Sequence, residues 1–171
     1  SPWHDLPLYP VTGGAAPLAT RPLLINFVCE VPRGVTHKFE VQTRLPWNPI
    51  MQDRGPGGQP RHHTYGVPFF NYGMLPRTWE DPAKKSAGGY PGDNDPLDVI
   101  EIGARVCLVG EMITLKVLGG FELIDQSELD YKIIAIDVSD PLASQLDSAA
   151  DLQVRLPGML PQLTEWLKNY K

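Results

Sequence analysis

Gly92-Asp93-Asn94-Asp95-Pro96-Leu97-Asp98 places three carboxylates within six residues, directly before the apolar pair Val99-Ile100. Like charges this close repel one another, so a fold that gathers them calls for cations. Aspartate oxygens are hard ligands of the kind magnesium, manganese and calcium prefer, and magnesium commonly shares its coordination with substrate phosphate. An EF-hand loop is excluded, because it needs a turn glycine at its sixth position and a glutamate at its twelfth, where this chain has Asp98 and Ala104. A solvated acidic turn before a strand is the alternative reading of so short a motif.

Working outward, the apolar segments are short and set off by proline and glycine. Residues 23–31 read as a strand bounded by Pro22 and by Pro32-Arg33-Gly34. Residues 35–43 alternate, so Lys38 and Glu40 share one strand face, either as an exposed ion pair or as part of a site. Residues 44–64, with Asn48-Pro49 and Gly55-Pro56-Gly57-Gly58, read as a long loop or hairpin tip. An aromatic-rich strand is expected within 65–74 and another over 99–103. Residues 105–118, broken at Gly110, suggest two strands and a hairpin, with the sheet continuing over 121–124. A second acidic cluster, Asp125 with Glu128 and Asp130, runs into the strand-like 133–138, where alternation puts Asp130 and Lys132 on one face. Asp140-Pro141 has the form of a helix start over 142–146, and a final helix is expected from near Pro157 or Pro161 to the chain end. Five or more strands followed by helices define a mainly β, α+β domain, in which barrel closure would remove the exposed edges.

Composition narrows the function. The 171 residues suit a single domain spanning 1–171, with a Pro- and Gly-rich irregular arm over 1–22. A net charge of −5 offers no basic footprint for nucleic acid or an anionic membrane, so any phosphate-handling site must be locally basic. No apolar run approaches the roughly 18 residues of a membrane span. Cys29 and Cys107 lack CxxC spacing and read as buried thiols, which suits a reducing compartment; a cytoplasmic location is expected, with mitochondrion or plastid as alternatives. The start at Ser1-Pro2-Trp3, with no initiating Met, suggests a trimmed beginning.

Two acidic clusters, each at the mouth of an apolar strand, and a lysine close to an acid on each of two strands are the residue types of a binuclear metal site acting on phosphate. Carboxylates hold the metals, bound metal acidifies water, and Lys, Arg and Tyr neutralise or hydrogen-bond phosphate oxygens. The sequence carries no GxxxxGK[ST], GxSxG or HExxH motif, and the adjacent His62-His63 read as solvated loop residues.

Several separated motifs together give the chain a family likeness. Gly-Asp-Asn-Asp-Pro-Leu-Asp at 92–98 resembles the signature of the soluble family I inorganic pyrophosphatases. In the same order come Glu30-Val31-Pro32-Arg33-Gly34 with Lys38 and Glu40, Asn71-Tyr72-Gly73, Thr78-Trp79-Glu80-Asp81-Pro82, Asp125 with Asp130-Tyr131-Lys132, and Tyr170-Lys171. Ser1-Pro2-Trp3-His4-Asp5 and the Trp-Glu-Asp-Pro segment resemble the eukaryotic branch. The resemblance implies a five-stranded OB-like closed barrel with flanking C-terminal helices and long loops. It implies magnesium-dependent hydrolysis of pyrophosphate by direct in-line attack of a metal-bridging hydroxide, with three to four Mg2+ ions, Mn2+ or other divalent ions as substitutes, and a homodimer. Asp93, Asp98 and Asp130 would bind the tightest metals, with Asp98 bridging two, while Asp125 and Glu40 would hold further ions. Asp95 would be the general base, Glu30 would order water, and Lys38, Arg61, Tyr72, Lys132, Tyr170 and Lys171 would clamp the two phosphoryl groups. A catalytically weakened relative binding phosphate or a protein partner is the alternative. The chain departs from the family at Pro68, where a second tyrosine is usual and Tyr65 stands nearby, and Arg54 rivals Arg61 as the family arginine.

Overall fold

The computed structural model describes residues 1–10 and 22–170. Residues 11–21, within the expected N-terminal arm, and Lys171, an expected phosphate contact, lie outside the described residues. Among the described residues seven strands form: β1 (Leu24–Val31), β2 (Phe39–Val41), β3 (Ile50–Gln52), β4 (Asn71–Met74), β5 (Asp98–Glu101), β6 (Met112–Asp125) and β7 (Glu128–Asp137). Five of them close into a barrel in the order β1-β4-β5-β7-β6, with β6 returning to β1, and β2 and β3 form a separate two-stranded sheet. The expected α+β domain built on a five-stranded closed barrel is what forms.

Closure follows from the apolar pattern. Along β5 and β7, successive residues face different clusters: Val99 and Ala135 meet Phe27 and Leu115, whereas Ile100, Ile134 and Ile136 meet the C-terminal helices. A strand buried on both faces cannot show a simple polar alternation, which is why these runs read as continuously apolar. The helices α1 (Ala149–Arg155) and α2 (Met159–Asn169) deliver Leu152, Leu163 and Trp166 to this second face. Each large side chain so buried stabilises the fold by about 1.5–3 kcal/mol. Gly73 in β4 lets β1 approach closely, since a Cβ there would lie 2.1 Å from the Val28 carbonyl oxygen.

Three local expectations are corrected. No hairpin forms at Gly110; residues 105–110 are loop, and β6 is one long strand with a register shift between Val117 and Gly119. The apolar residues behind that expectation, Val106 and Leu108, are 56% and 72% exposed rather than core. Asp140 does accept from the Leu142 amide at 2.8 Å, but only a 3-10 turn over Ala143–Gln145 follows. The first α-helix starts later, where the Ser148 hydroxyl accepts from the Asp151 amide and the Asp151 carboxylate in turn accepts from the Asp147 amide and the Ser148 hydroxyl. Within the expected 44–64 loop, β3 pairs with β2 through Phe39↔Gln52 and Val41↔Ile50.

Candidate active site

The parallel β5–β7 ladder places Asp98 directly opposite Lys132. Asp130 precedes Lys132 by two residues on the same face, so the Lys132 ammonium donates to both Asp98, at 2.5 Å, and Asp130. Tyr72 stands opposite Ile100 on β4, diagonal to Asp98, and its hydroxyl donates to Asp98 Oδ2. The bridge between Gly92 and Leu129 extends this parallel pairing and carries Asp93 alongside the start of β7. At the turn, Asn94 takes a positive φ of 72° and the Asp95 amide donates to Asp93 Oδ1, aiming Asp93 and Asp95 apart.

The second wall comes from β1 and the small β2–β3 sheet. Glu30, buried at the end of β1, accepts from the Val41 amide at 2.6 Å and so fixes β2 against the barrel. Lys38 pairs with Glu40, as alternation implies, and also with Asp53 at 3.2 Å, while Arg61 reaches the same Asp53 oxygen at 2.5 Å. The two walls enclose one cleft of about 270 Å³. Of the thirteen expected site residues, every one except the undescribed Lys171 lines it. Tyr170, stacked on Trp166 with ring centroids 4.8 Å apart, closes one side.

Crowded acids in a partly dry cleft hold their protons more tightly. Lost hydration, then Asp93 and Asp98, push Asp95 up to about 7 although it keeps a solvent-exposed surface. Burial likewise raises Asp130 to about 6, despite the opposing attraction of Lys132, and raises Asp93 and Glu30. Burial by itself would lower Lys132, but Asp98 and Asp130 outweigh it and hold the ammonium charged well above its ordinary range. Lys38 follows the same pattern through Glu40. Burial and the neighbouring Asp98 raise the Tyr72 hydroxyl, keeping it a neutral donor.

Glu80 and Asp53 join the site although no periodicity marks them. Glu80 lies thirteen positions before Asp93 in a turn without periodicity, yet it is 7% exposed and offers a carboxylate oxygen within 4.8 Å of one each from Asp93 and Asp130. Its Oε2 is buried without a hydrogen-bond partner among the described residues, and burial, with added repulsion from Asp93 and Asp130, raises its pKa to about 8. The oxygen-only donor set fits a hard divalent cation. Only the neighbourhood of Glu80 in the Thr78–Pro82 motif could have flagged it. Other expectations change. His63 is not solvated but buried against Trp166 and Tyr170, and desolvation lowers it to about 4. Tyr65 turns away toward Glu165, at 3.4 Å, and does not substitute in the cleft for the tyrosine missing at Pro68. Arg54 bonds the Gly58 carbonyl, which leaves Arg61 as the cleft arginine.

A small closed barrel whose mouth gathers carboxylates beside the buried ammonium of Lys132 belongs to the class of sites that could hold a divalent cation. Comparison with known proteins narrows the class. The family model described as inorganic pyrophosphatase matches residues 27–171. An inorganic pyrophosphatase of Drosophila melanogaster is 44% identical over the whole chain, and one of Candida albicans 42%; the chain spans 49% and 58% of their lengths. Among solved structures, a type I inorganic pyrophosphatase from Toxoplasma gondii superposes with a TM-score of 0.92 at 45% identity, covering 100% of this chain and 72% of that one. An N-terminally truncated vacuolar soluble pyrophosphatase of Trypanosoma cruzi, solved with PPi, gives 0.93 at 43%, covering 100% and 65%. The chain belongs to the inorganic pyrophosphatase family.

Proposed function

We propose that this chain hydrolyses inorganic pyrophosphate to two orthophosphates with magnesium, or manganese in its place, and that residues 1–171 act as one domain within a homodimer in the cytoplasm. The observation that carries the reading is the convergence, in one cleft, of Asp93, Asp95, Asp98 and Asp130 with Lys38, Arg61 and Lys132. Neither set suffices alone, since the acids without cations would repel a tetra-anion and the bases by themselves would bind it without activating water.

Asp93, Asp98 and Asp130 would hold the tightest divalent ions, and Asp125 and Glu40 would hold further ions that accompany substrate. Bound divalent ions supply positive charge to the phosphate oxygens and acidify water. Asp95, with its affinity for protons near neutrality, takes a proton from the attacking water. The water oxygen bonds to one phosphorus in line with the bridging oxygen, the P–O bond to that oxygen breaks, and the second phosphate leaves. Lys38, Arg61, Lys132, Tyr72, Tyr170 and Lys171 orient the two phosphoryl groups and meet the charge on the leaving oxygen. Glu30 holds β2 and the water beside it in place. The test is phosphate release from pyrophosphate on addition of Mg2+, abolished by chelation. A folded chain that binds Mg2+ and pyrophosphate without releasing phosphate would favour the weakened phosphate-binding alternative.

A further inference from the structure

We infer that Glu80 is a fourth carboxylate of the tight cation site, its Oε2 serving the same cation as Asp93 and Asp130. The inference rests on reading the cleft as a cation-dependent hydrolytic site, and it adds a residue to that site.

Glu80 is held by its backbone rather than left to find a position. Its amide donates to the Asp95 carbonyl at 2.9 Å, and its own carbonyl accepts from the Asn94 amide at 3.0 Å. The turn after β4 and the Gly92–Asp98 stretch are thereby stitched together, with Gly92 so close that a Cβ there would lie 2.4 Å from the Glu80 carbonyl oxygen. From this fixed backbone the side chain reaches the start of β7, where Oε1 accepts from the Tyr131 amide at 3.0 Å, next to Asp130.

One oxygen is thus enough for the structural hydrogen bond, and a neutral glutamine would serve it equally. The second oxygen is the informative one. Among the described residues Oε2 is buried with no partner, while Glu80 presents a ligand atom within 4.8 Å of those of Asp93 and Asp130. Lys132, the buried ammonium of this wall, is engaged with Asp98 and Asp130. A nine-tenths-buried carboxylate that has an orphaned oxygen and stands beside two further carboxylates is costly without compensation and is favourable beside a divalent cation.

The test is Mn2+ titration of metal-free protein, without pyrophosphate, followed by electron paramagnetic resonance of the free ion. Glu80→Gln keeps the acceptor for the Tyr131 amide, so its metal-free unfolding midpoint should not fall, while affinity at the tightest site should drop about tenfold or more. Native Mn2+ affinity in E80Q overturns the inference and leaves the hydrolytic reading standing. A native chain that binds Mn2+ but does not hydrolyse pyrophosphate overturns the reading of function instead. If E80Q does not fold, Glu80→Asp carries the same titration: the carboxylate is withdrawn by one methylene, so weakened binding supports the inference and native affinity refutes it.

Discussion

The Lys132 ammonium donates to Asp98 Oδ2 at 2.5 Å across a parallel ladder in which the two residues stand directly opposite. Lys132 is 1% exposed, so this ammonium is the charge that keeps Asp98 and Asp130 tolerable in the absence of metal. Replacing it leaves two uncompensated acids. Lys132→Met is expected to destabilise the metal-free protein by roughly 3–5 kcal/mol, the usual cost of breaking a buried pair. Urea unfolding in chelator checks this, and Mg2+ should recover part of the loss in the same experiment.

The raised acids make the metal-free protein sensitive to alkali. Asp95 at about 7 and Glu80 at about 8 lie above their ordinary values of 3.8 and 4.5, so the folded state binds protons more tightly than the unfolded chain. Stability from these groups is therefore fully present below their unfolded values and is lost as pH rises through the folded ones. His63, lowered to about 4, has the opposite sign and costs stability only as pH falls below its ordinary 6.5. Thermal unfolding in chelator should show a falling midpoint from pH 6.5 to 8, flattened by Mg2+; a rising midpoint would contradict this assignment.

Gly92 has no room for a side chain. A Cβ would meet Glu80 O at 2.4 Å and Glu80 C at 2.5 Å, both backbone atoms that cannot swing aside. Gly92→Ala should push apart the two stretches that position Asp93 and Glu80, costing about 1–3 kcal/mol as overpacking does. Mn2+ affinity should fall with it. An alanine variant with native affinity and stability would show that this approach is not needed.

How much of the fold and site is legible in the sequence depends on what each residue is fixed by. Asp98, Asp130, Lys132 and Tyr72 sit on or beside paired strands, so alternation and register decide where they point, and a short motif suffices to find them. Glu80 and Asp53 are placed by loop contacts made across the fold, through the Tyr131 amide and through Lys38 and Arg61, and no periodicity marks them. The hairpin expected at Gly110 fails for a related reason: Val106 and Leu108 have strand-like character but face solvent, and the chain there bonds back to Cys29 through the Gly110 amide at 2.7 Å. His63 reads as half of a solvated pair because its burial is supplied by Trp166 and Tyr170, far along the chain in and beside α2.

With Asp95 as the proposed general base and not a metal ligand, its replacement separates chemistry from metal binding. Asp95→Asn retains Asp93, Asp98 and Asp130, so Mn2+ affinity of the metal-free protein should stay close to native. Turnover should fall by about 10²–10⁴-fold, the usual contribution of a general base. Steady-state phosphate release beside the Mn2+ titration checks both halves, and an active D95N would remove Asp95 from the role.

On the proposed reading this cleft hydrolyses pyrophosphate, with water supplying the new phosphate oxygen. Phosphorus-31 NMR of pyrophosphate with the native chain and Mg2+ in water enriched in oxygen-18 tests it most directly. The expected result is full conversion to orthophosphate, with one solvent oxygen incorporated per pair of phosphates in the first turnover. A pyrophosphate signal that persists, in protein shown to be folded and to hold divalent cation, would mean that this cleft does not hydrolyse pyrophosphate.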